Sequence, residues 1–564
     1  MSRTPAPDLG TAPVSEPPLV APGASAPTGR TVWVLLAAAG LLGVLVPLTL
    51  AVVTGGLSIP HNDAWSYSRI AQTFGSDGRI ELLGWNRSAL FGQFVVLGPL
   101  ARSLVVQHLF VAALGVVALA AVYDLVVTAA GRTRAAFAVL TVAVWPGFGL
   151  LTTSFMLDVP AMAAIMVCLA VGRRALRNRS AVLLALSIGA GLWGFTIREQ
   201  ALAAPAAVLL VAAAAAWRSR SRRAWAVTVC AGAALGAAIV GFELWRQSYG
   251  AGDPPVVAVP ESLTKVGATV LVQGYFVLAL AAAPAVLLVA RPWRWGRGAL
   301  LAAAAAAAVA AGAVLHFGRQ GFFVGNYLDP AGPYWAAGNG RPPAIFPSPV
   351  WTLVVALACV SGVLLAGVLV RQFRRVDPVL GTFVALMVLG NLASALSGQN
   401  LFDRYWLLVL PPLLAMVLAE RPERPATGSP RPTAARIAGK VPAGAALAGL
   451  AAFSTAVTAA GFAYDAARWD AAEAIVATGV PATDVNAGLE WNGYHSAVGM
   501  SPPGSWKFPG NRSCHLVTVG QQPDRAAESV WTYRPFLIAG TARLWVYGDG
   551  CPPPPEADES VTTR

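Results

Sequence analysis

Two aspartates and two arginines stand at the ends of apolar runs, where a charge is costly unless it has a partner or a task. Asp63 lies in Ile59-Pro-His-Asn-Asp-Ala-Trp-Ser-Tyr67, nine residues beyond the apolar run 33–54. Asp158 closes the short turn Thr153-Ser-Phe-Met-Leu-Asp158-Val-Pro160. Arg198 belongs to Ile197-Arg198-Glu-Gln200, and Arg404 to Phe402-Asp-Arg404-Tyr405. A carboxylate can take the proton of an attacking hydroxyl, and an arginine can hold a phosphate through two parallel N–H bonds. Such a set suits transfer to a hydroxyl from a phosphate leaving group. Phosphate departs as an anion, so no second carboxylate is needed as general acid, unlike the flanking pair of a glycosidase. Each residue also has a structural alternative. Asp63 would be a solvated loop acid beside headgroup-zone Trp65 and Tyr67, Asp158 a helix N-terminal acid, and the two arginines snorkelling anchors.

The elements that must position these residues follow from composition. Of 564 residues, 56% are hydrophobic and 12% charged, and mean hydropathy is +0.60; a soluble chain is about a quarter charged. The chain is therefore a polytopic membrane protein. Its net charge of +13 does not indicate nucleic-acid binding, because the basic residues form short clusters between apolar runs rather than one polar face. Spanning a bilayer takes about 20 apolar residues. Thirteen runs qualify: 33–54, 103–127, 135–153, 155–171, 180–197, 201–217, 224–245, 266–290, 298–316, 349–370, 377–396, 405–419 and 441–463. One set of alternate connections, with the N-terminal stretch, holds 23 basic residues, and the opposite loops, leaving aside the C-terminal segment, hold 10. Arginine and lysine mark the cytoplasmic side, which puts the N-terminus in the cytoplasm and the C-terminus outside a cell (plasma) membrane.

On this topology all four charges lie at the outer surface. There a polyprenyl-phosphate sugar would present its reacting bond, with the tail in lipid, the phosphate at the interface and the sugar outside. The same residues resemble the polytopic, C-type-fold, family 39-like glycosyltransferases, the group that includes protein O-mannosyltransferases and the transferase adding aminoarabinose to lipid A. Asn62-Asp63-Ala-Trp-Ser-Tyr67 is similar to that group's first-loop acidic signature, with Asn62 where a first acid is common. The segments at Asp158, Arg198–Gln200 and Phe402–Tyr405 resemble its later patches in the same order.

The resemblance implies Asp63 as base toward the acceptor and Asp158 as a second-loop acid orienting the acceptor or a cation. It implies Arg404 and Arg198 as donor-phosphate contacts, with Trp85, Arg87, Tyr67 and Gln200 also substrate-binding. The acceptor would be a glycan, a glycolipid or a protein. No cofactor is required; a divalent cation is compatible with the group but not favoured, because Asn62 removes a paired acid. The expected layout is a disordered tail (1–30), a transmembrane transferase domain (31–463) with outer loops 55–102, 246–265 and 317–348, and a small exoplasmic α/β domain (464–564). Short β-like runs begin at His515 and Arg543. Cys514 and Cys551 are the only cysteines outside apolar runs, and outside the cell they would pair. The rival readings are a transporter or flippase of lipid-linked sugars, which would place ionisable sites near the midplane, and a non-catalytic assembly partner.

Overall fold

Inside a bilayer every backbone N–H and C=O must find its partner within the protein, so apolar runs of sufficient length become helices. The computed structural model describes residues 29–83, 91–248, 262–419, 440–501, 507–536 and 540–548. Among them nine helices are long and apolar enough to cross a membrane. A tenth candidate is the pair Ala268–Ala281 and Ala283–Val289, bent by 70°. Pro284 lies in the first turn of the second member and has no N–H to carry the hydrogen-bond ladder back across the break. Ten of the thirteen predicted runs are thereby accounted for.

The other three form shorter helices, and each has a local cause. Run 135–153 divides into Arg132–Ala143 and Phe148–Thr152. Pro146 disfavours helix at the residue before it, and Gly147 takes φ +105°, open to glycine. Run 180–197 yields the 15-residue helix Ala181–Phe195, capped by the Ser180 hydroxyl, which accepts from Leu183 N–H. Run 405–419 yields the nine-residue helix Leu410–Leu418, which opens on Pro411 and Pro412. These interruptions matter for function because Asp158 and Arg404 stand beside them.

Small residues let the helices close around the future site. A Cβ on Gly274 would fall 2.1 Å from the Trp406 indole, so only glycine admits that ring two residues from Arg404. A Cβ on Gly43 would meet Ala143 at 2.9 Å; the close approach lets the Gly43 carbonyl accept from the Thr152 hydroxyl at 3.0 Å. At the opposite end of the bundle, Arg173 donates to Asp377 at 2.8 Å and to the Leu125 carbonyl at 2.7 Å, tying three spans together.

The helix Lys440–Val476 runs 37 residues, about 55 Å at 1.5 Å per residue. It passes residue 463 without a break and carries the chain out of the apolar bundle. A four-stranded sheet packs on its far end, in the order β1 (Val485–Asn486), β2 (His515–Thr518), β4 (Ala542–Gly548), β3 (Ser529–Tyr533). β1 and β2 are parallel and the other pairs antiparallel. Val485, Val517, Leu544 and Val546 gather with Ala471, Ala472 and Trp469 of the long helix in one buried cluster. The two β-like runs expected from alternation are β2 and β4; β1 is too short, and β3 too exposed, to show as alternation. Cys514 is disulfide-bonded, while Cys551 lies outside the described residues. We expect Cys514→Ser to lower the stability of this region by roughly 2–5 kcal/mol. Finding both thiols free by mass spectrometry, in protein isolated without reductant, would contradict the pairing.

Candidate active site

Asp63 immediately precedes the helix Ala64–Asp77 but does not cap it with its side chain. The carboxylate is instead turned toward Arg404, whose Nη2 donates to Oδ2 at 2.9 Å. The preceding residue, Asn62, has φ +54°, a left-handed conformation that asparagine tolerates better than most residues.

Asp158 opens the helix Asp158–Asn178 and is 1% exposed. Its Oδ1 accepts from Arg198 Nη1, and Oδ2 lies 4.0 Å from Arg404 Nε. Arg404 therefore stands between the two acids. Burial works against its charge, yet the Asp63 and Asp158 carboxylates outweigh burial and hold the guanidinium well above its ordinary range. Arg198 Nε donates to Gln200 at 2.8 Å, and Gln200 Nε2 donates to Asn391 at 3.3 Å. A hydrogen-bonded chain thus runs from Asn391 through Gln200 and Arg198 to Asp158, and on to Arg404 and Asp63 across the 4.0 Å approach. The Tyr405 ring lies under both cations, 4.4 Å from Arg198 and 5.7 Å from Arg404.

Tyr67 follows Asp63 by one helical turn and is buried; burial and then the Asp63 charge push its phenol well up, so it stays protonated. The loop after the helix Arg297–Phe317 is fastened by Asp403, which accepts from the N–H groups of Tyr327 at 2.8 Å and Leu328 at 2.6 Å. It also accepts from its neighbour Arg404 at 2.7 Å. Burial pushes the Asp403 carboxyl up to about 7, against the pull of these N–H groups and of Arg404. Asn326, on the same loop, accepts from Arg404 Nη1 at 3.4 Å.

The structure thus brings Asp63, Asp158, Arg198, Gln200, Arg404 and Tyr67 into one cluster. Trp85 and Arg87 lie outside the described residues. Asn391, Asp403, Asn326 and Tyr405 are additions. Asn391 was legible in principle, as an amide alone in the apolar helix Pro378–Leu396; Asn326 left no signal in its loop. Asp63 and Asp158 face guanidinium groups rather than each other. Among the described residues no three His, Cys, Asp or Glu side chains gather as a metal site.

Two donors in the cluster have no hydrogen-bond partner among the described residues: Arg404 Nε and Asn391 Nδ2, both buried. Unmet donors in a dry site call for an acceptor. The arrangement therefore sets a partly exposed acid and cation, Asp63 (side chain 13% exposed) and Arg198 (12%), beside the more deeply buried Asp158 and Arg404.

No protein-family model matches the chain, and no curated protein matches it either. Among solved structures, the crystal structure of ArnT from Cupriavidus metallidurans bound to undecaprenyl phosphate is similar at 16% identity, covering 81% of each chain, with a TM-score of 0.36.

Proposed function

We propose that the chain is an integral-membrane glycosyltransferase that moves a sugar from a polyprenyl-phosphate donor to an acceptor hydroxyl on the outer membrane face. The observation that carries the reading is the convergence of Asp63 and Asp158 on Arg404, from elements far apart in sequence. The donor phosphate replaces Asp63 as the partner of Arg404 and also meets its unmet Nε. Arg198, held by Asp158 and Gln200, supplies the second cation. The Tyr405 ring beneath both guanidinium groups fixes their planes.

In the reaction the bond between the sugar anomeric carbon and the phosphate oxygen breaks, and a bond from the acceptor oxygen to that carbon forms. The acceptor proton passes to Asp63, and the polyprenyl phosphate leaves as an anion on Arg404 and Arg198. Asp158 is too deeply buried to serve as base, and its role is to hold Arg198 and to balance the cations. Purified protein incubated with a panel of polyprenyl-phosphate sugars should release polyprenyl phosphate from at least one when an acceptor is present. Movement of a donor across vesicles without release of lipid phosphate would instead establish a transporter.

The reading also requires the site to face outward. The excess of arginine on the opposite connections supports that orientation. Cysteines placed at Ser76 and Ser513 should react with impermeant thiol reagents on intact cells, and one at Ser180 should not. Labelling of position 180 from outside would invert the topology and remove the outward-facing site.

A further inference from the structure

A second group of buried charges lies behind the site, and the transfer chemistry leaves it unused. Asp465, Arg468 and Glu490 are each 0% exposed and His61 is 1% exposed. Arg468 Nη2 donates to Asp465 Oδ1 at 2.5 Å and also to Glu490, while its Nη1 donates to the Ala487 carbonyl at 2.7 Å. The free face of Asp465 meets His61: Oδ2 accepts from Nδ1 at 2.5 Å. On its other side the ring meets the Gly56 carbonyl, 2.8 Å from Nε2. Two carboxylates, a guanidinium and an imidazole thus meet one another away from solvent. Removing one charge from such a set leaves its partner uncompensated.

What the group holds is the segment that carries Asp63. The His61 ring is fastened to Asp465 and Gly56, and the His61 carbonyl accepts from Ala64 N–H at 3.1 Å to begin the helix Ala64–Asp77. Between these anchors lie only the left-handed Asn62 and Asp63 itself. The same helix is docked on the C-terminal segment at three more places. Arg69 donates to the carbonyls of Gly493, at 3.1 Å, and Ser496. Gln72 donates to the Tyr494 hydroxyl at 3.1 Å, and Trp65 lies against Gly493, where a Cβ would come within 2.3 Å of the indole.

We propose that Asp465 is a positioning residue for the transfer, which through His61 fixes where the Asp63 carboxylate stands, so that the C-terminal segment is part of the working site. The inference rests on the glycosyltransferase reading for its kinetic consequence but not for its structural one. A misplacement of about 1 Å can lower a rate by roughly 100-fold. Asp465→Asn keeps the shape and removes the charge that His61 meets. With the polyprenyl-phosphate sugar that the wild type uses, we expect kcat to fall about 10- to 100-fold and the donor KM to stay within about threefold, because Arg404 and Arg198 remain in place. Asp465→Glu should recover part of the loss. Hydrogen exchange at residues 56–64 should quicken, while 515–518 and 542–548 stay protected. Asp484→Asn, which disturbs the Arg512 pair elsewhere in the C-terminal segment, serves as the control and should leave kcat unchanged. Unaltered kcat in Asp465→Asn would overturn the proposal, and so would a loss matched by Asp484→Asn with exchange raised across the whole sheet. If the wild type transfers from no donor, the glycosyltransferase reading falls, and unchanged exchange at 56–64 in Asp465→Asn would separately refute the fastening of the loop.

Discussion

Asp63→Asn is expected to lower sugar transfer by roughly 10²- to 10⁴-fold, the range of a general base, while the protein still inserts and binds donor. The amide keeps an oxygen for Arg404 Nη2 and nearly the same volume, so the helix Ala64–Asp77 and the loop before it should stand unchanged. What is lost is the group that takes the acceptor proton. Asp158→Asn tests the division of labour between the acids. It leaves Arg198 without its carboxylate, so the effect should fall mainly on donor KM, whereas Asp63→Asn should act on kcat. Retention of near wild-type transfer in Asp63→Asn, measured as polyprenyl phosphate released, would remove Asp63 as base. Asp158 and Asp403, both too buried to take its place, would then leave the cluster without a proton acceptor that the acceptor hydroxyl can reach.

Arg404→Lys should reduce kcat/KM by about 10- to 100-fold, the scale of one charge-assisted hydrogen bond. The positive charge survives, but the planar fork that spans Asp63, Asp158 and Asn326 does not. A lysine ammonium is a point donor and cannot face both acids and a phosphate together. Donor KM should rise, and kcat should also fall, because the leaving phosphate loses a cation as its charge develops. A result in which KM alone changed would place Arg404 in ground-state binding only. An unaffected variant would show that the cluster holds no phosphate.

How much of the site was legible before any fold was known depends on the kind of signal each residue carries. Asp63, Asp158, Arg198 and Arg404 stood out because charge beside apolar runs is rare, and the physics that makes it rare acts on single positions. Gln200 and Tyr67 came with the motifs around them. Asp465 carries no such signal, since nothing local distinguishes it from the other acids of the C-terminal segment. His61 was visible as a neighbour of Asp63, but not as the link to a residue 404 positions away. The short helices were likewise hidden, because hydropathy averages over a window and a single Pro or Gly pair can end a helix inside it.

The sequence by itself determined the class of the protein: too few charges for water and apolar runs of membrane length; its arginine excess predicts the sides that the labelling test checks. It also determined which side chains were worth watching. Composition and spacing act through solvation, which each residue meets largely alone, so they can be read along the chain. Only the tertiary structure decided the pairings. Asp63 meets Arg404 while Asp158 takes Arg198, Asn391 closes the chain through Gln200, and the long helix Lys440–Val476 delivers Asp465 to His61. Those contacts join helices by side-chain packing and by bends at Pro146 and Pro284. Which helix end faces which is a property of the whole assembled bundle, set by close approaches such as Gly274 on Trp406 and Gly493 on Trp65, and no local pattern encodes it.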